Sequence, residues 1–262
     1  MDDLAARYAG VVLDLDGVCY RGTDPIPGAD RTVAALRDRG IGISFATNNS
    51  TRTPDDVASQ LIALGITAEP REIVTSSSAT AALLSPAARC VIIGMSGLRS
   101  ELAAHGCVEV TDPATADAVV VGLDRDLTYA KLERATSALM AGARYIGTNA
   151  DASFPEADGR ISPGAGAILA ALSRATGREP EIAGKPERPL FETAAARLPA
   201  GAVLMVGDRI DTDIVGAQRM GWDTALVLSG VTSAEEAATA GATYVLDDIA
   251  GLLAPTPEPT AR

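Results

Sequence analysis

The sequence of 262 residues predicts an α/β protein with a mostly parallel sheet, and two observations carry that prediction. Short runs that are apolar at consecutive positions recur at 11–13, 41–46, 91–93, 118–121, 203–206 and 225–228. Such runs suit parallel strands buried on both faces. Segments with helical spacing and legible ends alternate with them, as in an α/β architecture. Apolar residues make up 47% of the chain but aromatic ones only 3%, so Val, Leu, Ile and Ala must fill the core. At this length one large or two modest domains are expected.

In chain order, the 11–13 run opens into Asp14-Leu15-Asp16-Gly17. Side chains two apart on a strand face the same way. Two carboxylates at the carboxyl end of a parallel strand lie where open α/β sheets bind ligands. Gly17 lets the chain turn there. Alone, such a pair is also ordinary strand-end polarity. The 41–46 run leads into Thr47-Asn48-Asn49-Ser50, whose hydroxyl and N–H groups can bind phosphate oxygens or simply build a turn. Thr53 then caps a helix that starts at Pro54, carries Asp55 and Asp56 in its first turn, turns Val57, Leu61 and Leu64 inward and stops at Gly65.

Between Thr47 and Lys185 the chain is far longer than one crossover requires. Residues 78–181 are therefore expected to form an inserted α/β domain, with 1–77 and 182–262 as the core it interrupts. Inside it, Asp126 or Thr128 caps a helix running to Met140. Gly147-Thr148-Asn149-Ala150-Asp151 follows an apolar strand, and a helix at 164–176 buries Ile168, Leu169 and Leu172 before Gly177 ends it. In Ala183-Gly184-Lys185-Pro186, Gly184 permits close backbone approach. Pro186 is expected to start the next helix and set Lys185 beside its positive end. The 203–206 run ends in Gly207-Asp208-Arg209-Ile210-Asp211-Thr212-Asp213, where Asp211 reads equally well as a helix cap. Acids converging on one crevice repel each other without a cation, and oxygen donors beside a phosphate favour Mg²⁺. The tail from Pro255 onward is proline-rich and expected to be disordered.

Composition excludes several function classes. A formal charge of −12 argues against nucleic acid and anionic membrane partners. No apolar run reaches the roughly 18–20 residues of a membrane span, which sets aside translocating ATPases. The first ten residues lack a signal-peptide layout, and three cysteines without a CxxC pair suit a reduced, cytoplasmic setting. Cys19 reads as a buried, inert thiol or as a neighbour of the site. The single histidine, His105, falls in a helix-to-strand turn and cannot assemble a His-based catalytic or binuclear metal site.

Taken together, Asp14-Leu15-Asp16-Gly17-Val18, Thr47-Asn48-Asn49, Gly184-Lys185-Pro186 and Gly207-Asp208 through Asp213 resemble the motifs of the haloacid dehalogenase superfamily, most closely its class IIA phosphatases. The resemblance runs to about residue 253 and implies a Rossmann-like, doubly wound parallel sheet whose inserted α/β domain is a cap closing over the site. It implies Asp14 as nucleophile and Mg²⁺ ligand. It implies Asp16 as the acid and base, its carbonyl also on the metal, with Asp208 a further ligand and Asp213 holding a metal-bound water. Thr47, Asn48, Asn49 and Lys185 would bind the phosphoryl group, and Asn149, Asp151, Gly164 and Gly166 would meet the substrate. Asp151 also reads as a turn cap. An acid such as Asp16, two residues after the nucleophile, points to phosphate esters in this superfamily. The implied activity is Mg²⁺-dependent hydrolysis of a small phosphorylated metabolite, glycerol 3-phosphate or 2-phosphoglycolate foremost. A nucleoside monophosphate or sugar phosphate is the alternative, with phosphotransfer to a hydroxyl or a metabolite-binding scaffold behind them. Similar enzymes form homodimers through the cap.

Overall fold

In the computed structural model, which describes residues 3–156 and 159–255, the strand Gly10–Leu13 is wholly buried. It pairs in parallel with Gly42–Thr47 on one side and Val203–Gly207 on the other, Val11 facing Ile43 and Leu204. Ile73–Thr75 extends the sheet beyond Gly42–Thr47, while Asp223–Val227 and Tyr244–Leu246 extend it beyond Val203–Gly207. Moving outward from Gly10–Leu13 the chain thus advances in both directions, and the crevice at such a switch of direction is where doubly wound sheets take ligands. Leu13 faces Val206, so Asp14 and Asp208 leave neighbouring strands almost side by side. The proline-rich tail at 256–262 lies outside the described residues.

Two compact units divide the chain. The first comprises Met1–Thr47, Pro54–Val74 and Phe191–Arg262 and contains the six-stranded sheet; the second comprises Asn48–Thr53 and Thr75–Leu190. In the second unit a five-stranded sheet has the order Glu181–Ile182, Arg144–Gly147, Ala118–Val121, Arg89–Ile93, Val108–Glu109, and its neighbouring strands run parallel. Consecutive apolar residues serve its two faces. Val91, Ile93, Val119 and Val121 pack under the helices Tyr129–Met140 and Ala165–Thr176, whereas Cys90, Ile92 and Val120 pack with Leu98 and Leu102 of Ser96–Ala104. A hairpin of Ser153–Pro155 and Ile161–Pro163 completes this unit's strands among the described residues.

The helix ends follow local chemistry. Thr128, not Asp126, caps Tyr129–Met140 by accepting the Lys131 N–H. The Asp126 N–H is already given to Asp124 Oδ1 at 3.0 Å. Pro54–Ala63 forms as expected with Val57 and Leu61 buried, although Leu64 falls after its last turn and is only half-buried. Pro186 does not start a helix. Gly184 accepts the Glu187 N–H at 2.9 Å, closing a turn around the cis Lys185–Pro186 peptide, and the helix begins later, at Arg188–Ala195. No described helix is long and apolar enough to cross a membrane.

Candidate active site

Asp14 continues the line of the Gly10–Leu13 strand, donating its N–H to Val206 O at 2.9 Å. Its carboxylate joins those of Asp208 and Asp213, each residue buried, with one oxygen from each lying within 4.8 Å of the others. Three buried acids this close are strongly unfavourable unless a cation offsets them. Asp213 Oδ2 accepts the Arg209 N–H at 3.1 Å, while its buried Oδ1 accepts no hydrogen bond. Hard oxygen donors and a spare buried lone pair fit a small divalent cation such as Mg²⁺. The π-helical turn Ile210–Ile214 carries Asp213 inward to full burial. Such turns recur at functional sites. Asp211, on the outer side of that turn, is exposed and pairs with Arg209 at 3.0 Å; that guanidinium holds its carboxyl below the usual range. It is not part of the cluster.

The Asp16 carboxylate is not one of the three either. Asp16 stays open to solvent on one side, yet protein packed around its carboxyl removes enough water to raise its pKa. The N–H groups of Gly17 and Gly22 and the charge of Arg21 pull the other way. A carboxyl held above its ordinary range keeps a proton more readily, as a general acid must. Thr47 ends its strand buried. Cys19 is fully buried with its thiol donating to Asp14 O at 3.4 Å, so it is both a buried thiol and a neighbour of the site; burial, then the Asp14 charge, push its pKa up.

A loop that sequence reasoning missed, 229–232, holds Asp208 in place. Val231 N–H donates to Asp208 Oδ2 at 2.9 Å, and Thr232 Oγ1 donates to Asp208 O at 2.6 Å. Ser229 Oγ donates to Gly17 O at 2.7 Å, tying this loop to the turn after Asp16. Arg21 also donates to Ser229 O. Space is minimal here. A Cβ on Gly17, whose φ is +80°, would meet Asp208 Oδ2 at 2.5 Å, and one on Gly207 would meet Asp213 Cβ at 2.3 Å. The only cue in the sequence was a Ser-Gly pair after an apolar run.

The second unit gathers a different set. Asn48 Oδ1 accepts the Lys185 N–H at 2.8 Å, and Asn48 Nδ2 donates to Lys185 O at 3.1 Å and, at the limit of 3.5 Å, to Asp151 Oδ2. Asn149 Nδ2 donates to Asn48 O at 2.8 Å, and Asn149 Oδ1 accepts the Asp151 N–H at 3.1 Å, a local turn. Lys185 is 4% exposed, and its backbone is held by Asn48 rather than by a helix start. Gly164 and Gly166 close the 149–152 loop with their backbones: their N–H groups bond Ala152 O and Asp151 O, each at 2.9 Å. A Cβ on either would strike that loop's carbonyls at 2.1 and 2.4 Å. Asn49 is exposed, its Oδ1 accepting from the Thr51 N–H and hydroxyl at 2.8 and 2.7 Å.

Known proteins resemble this chain in sequence and fold. Residues 11–108 match the model of haloacid dehalogenase-like hydrolases, and 182–252 match a second, HAD-hydrolase-like model. An acid sugar phosphatase of Staphylococcus haemolyticus is 42% identical over 235 residues, spanning 88% of this chain and 89% of that protein. The chain belongs to the haloacid dehalogenase-like hydrolase family. This hydrolase also matches a glycerol phosphate phosphatase from Mycobacterium tuberculosis, solved in complex with magnesium. Identity is 38% and the TM-score 0.89, over 97% of this chain and 79% of the other. A p-nitrophenyl phosphatase from Archaeoglobus fulgidus gives 34% and 0.88, over 97% and 99%. These relatives place the hydrolase in the phosphatase branch of its family.

Proposed function

We propose that this hydrolase is a Mg²⁺-dependent phosphatase that frees inorganic phosphate from a small phosphorylated metabolite through an aspartyl phosphate on Asp14. The observation that carries the proposal is the buried group of Asp14, Asp208 and Asp213, with Asp16 two residues beyond the first. Asp14, Asp208 and Asp213, with the Asp16 carbonyl, are the residues we assign to the ion, whose charge would neutralise phosphate oxygens and favour approach of an anionic nucleophile. A carboxylate oxygen of Asp14 attacks phosphorus, and the bond to the ester oxygen breaks. Asp16 gives that oxygen its proton. Asp16 then takes a proton from water, the water oxygen displaces Asp14 from phosphorus, and phosphate leaves with both acids restored. Two displacements replace one difficult hydrolysis. Thr47, the Asn48 N–H and Lys185 are assigned to the phosphoryl oxygens, since this transfer depends chiefly on positioning and charge neutralisation. Residues 78–181 are assigned to covering the substrate.

Glycerol 3-phosphate is the first reading for the substrate, supported by the 38%-identical glycerol phosphate phosphatase. A sugar phosphate is the second, supported by the 42%-identical acid sugar phosphatase. The test is phosphate release from a panel that includes both, together with 2-phosphoglycolate and nucleoside monophosphates, ranked by kcat/KM. Activity is expected with Mg²⁺ and lost with EDTA or with Asp14→Asn. Undiminished release by Asp14→Asn would remove the nucleophile assignment.

A further inference from the structure

We infer that Asn48 is a positioning residue for Lys185, and that Ser76 and Asn149 fix Asn48 in turn. The inference rests on the phosphoryl-binding role proposed above for Lys185. Asn48 meets both polar groups of one backbone residue, its Oδ1 taking the Lys185 N–H at 2.8 Å and its Nδ2 giving to Lys185 O at 3.1 Å. A neighbouring strand pairs with a residue in the same two-bond manner, so the side-chain amide acts as a one-residue strand partner. Two bonds set the plane of the contact as well as its distance. Aspartate, of the same shape, accepts but does not donate, and alanine does neither.

The amide is itself held. Asn48 O accepts from Ser76 Oγ at 2.7 Å and from Asn149 Nδ2 at 2.8 Å, which uses both lone pairs of that carbonyl. Ser76 is fully buried at the start of the helix Ser76–Ala82, whose first turn is locked by the reciprocal capping of Thr75 and Ser78. Next to the clasp, a Cβ on Gly184 would meet Asn48 Oδ1 at 2.6 Å and Thr148 O at 2.5 Å, so the contact leaves no room for a side chain there. A lysine amine lies at the end of four flexible methylenes, so its aim is only as good as the hold on its backbone. Displacements near 1 Å cost catalysis on the order of 100-fold.

The experiment is a set of double-mutant cycles on p-nitrophenyl phosphate hydrolysis with saturating Mg²⁺, comparing Lys185→Ala, Asn48→Ala and Ser76→Ala with the two double variants that contain Lys185→Ala. Asn48→Ala is expected to lower kcat by roughly 10- to 100-fold and Ser76→Ala by about 3- to 10-fold. Neither should lower it further once Lys185 is alanine. Asn48→Asp, which keeps only the acceptor, should fall between wild type and Asn48→Ala. The Mg²⁺ midpoint should not move, because the three carboxylates are untouched. Losses that multiply in the Lys185→Ala background would overturn the inference while leaving the role of Lys185 intact. Full activity in Lys185→Ala alone would overturn both. Should Asn48→Ala fail to fold, Ser76→Ala decides the matter, since it removes one buried oxygen and no bulk.

Discussion

Replacing Gly230 with alanine probes how closely the 229–232 loop backs the carboxylate group. A Cβ at that position would stand 2.0 Å from Asp208 Oδ2 and 2.2 Å from Asp208 Cβ. To reach an ordinary 3.4 Å contact, the carboxylate must withdraw by about 1.4 Å. That movement breaks the 2.9 Å bond from the Val231 N–H, at a cost of about 1–3 kcal/mol if the donor is left unmet. It also pulls one oxygen out of the three-carboxylate group. Loss of a supporting contact behind a metal ligand typically weakens metal affinity about 10- to 100-fold. The assay is phosphate release titrated with Mg²⁺, alongside calorimetric Mg²⁺ binding without substrate. Gly230→Ala should raise the Mg²⁺ midpoint by that factor and lower kcat at saturation. Gly40→Ala serves as the comparison, because Gly40 has φ +72° but open space around its Cβ. It should cost about 1 kcal/mol of stability through backbone strain and leave the Mg²⁺ midpoint alone. A Gly230→Ala enzyme with the wild-type Mg²⁺ midpoint and kcat would refute the packing argument.

Three further outcomes follow from the geometry. Asp213→Asn should weaken Mg²⁺ binding, whereas Asp211→Asn should leave both kcat and the Mg²⁺ midpoint unchanged, since Asp211 is exposed and paired with Arg209; equal losses in parallel titrations would contradict the assignment. Burial raises all three thiols, Cys90 to about 12, so little thiolate exists at pH 8 and a disulfide reagent should label the native chain slowly but all three cysteines in denaturant. Rapid labelling of the native chain would count against that burial. Hydrogen bonds from Arg89 hold the Asp117 carboxyl down at about 2. Its pKa is lower folded than unfolded, so the pair contributes above the unfolded value of about 3.9 and the contribution fades as pH falls toward 2. The Tm difference between wild type and Asp117→Asn should therefore be level from pH 8 to 5, small because the pair is exposed, and vanish in acid; a difference that grew in acid would reverse the sign.

Consecutive apolar residues were readable as parallel strands because both faces of each sheet are dry. Ile92 and Ile93 enter separate clusters, so no polar position interrupts the run. The acids were readable for a related reason: a buried strand that ends abruptly in aspartates announces its carboxyl end. What the sequence could not show is contact across distance. The Val231 N–H reaches Asp208 because the Asp223–Val227 strand lies beside Val203–Gly207, a pairing that the residues Ser-Gly-Val-Thr do not encode. Ser76 looks like an ordinary helix-start residue, and its bond to Asn48 O depends on where the chain returns. Pro186 was misread because proline favours both helix starts and turns, and the Glu187-to-Gly184 bond selects the turn. Glu181–Ile182 and Val108–Glu109 are two-residue edge strands, too short to show any period.

Because Gly10–Leu13 is flanked by Gly42–Thr47 on one side and by Val203–Gly207 on the other, the strand that leads into Asp14 has a partner early in synthesis and its second one late. Roughly 190 residues separate Asp14 from Asp208, which at about 5–20 residues per second is roughly 10–40 s of translation. Until then a half-covered apolar strand waits at the ribosome, and no ion-binding group can stabilise it. The nascent chain is therefore most exposed to aggregation while the inserted segment is being made, and added magnesium cannot shorten that interval.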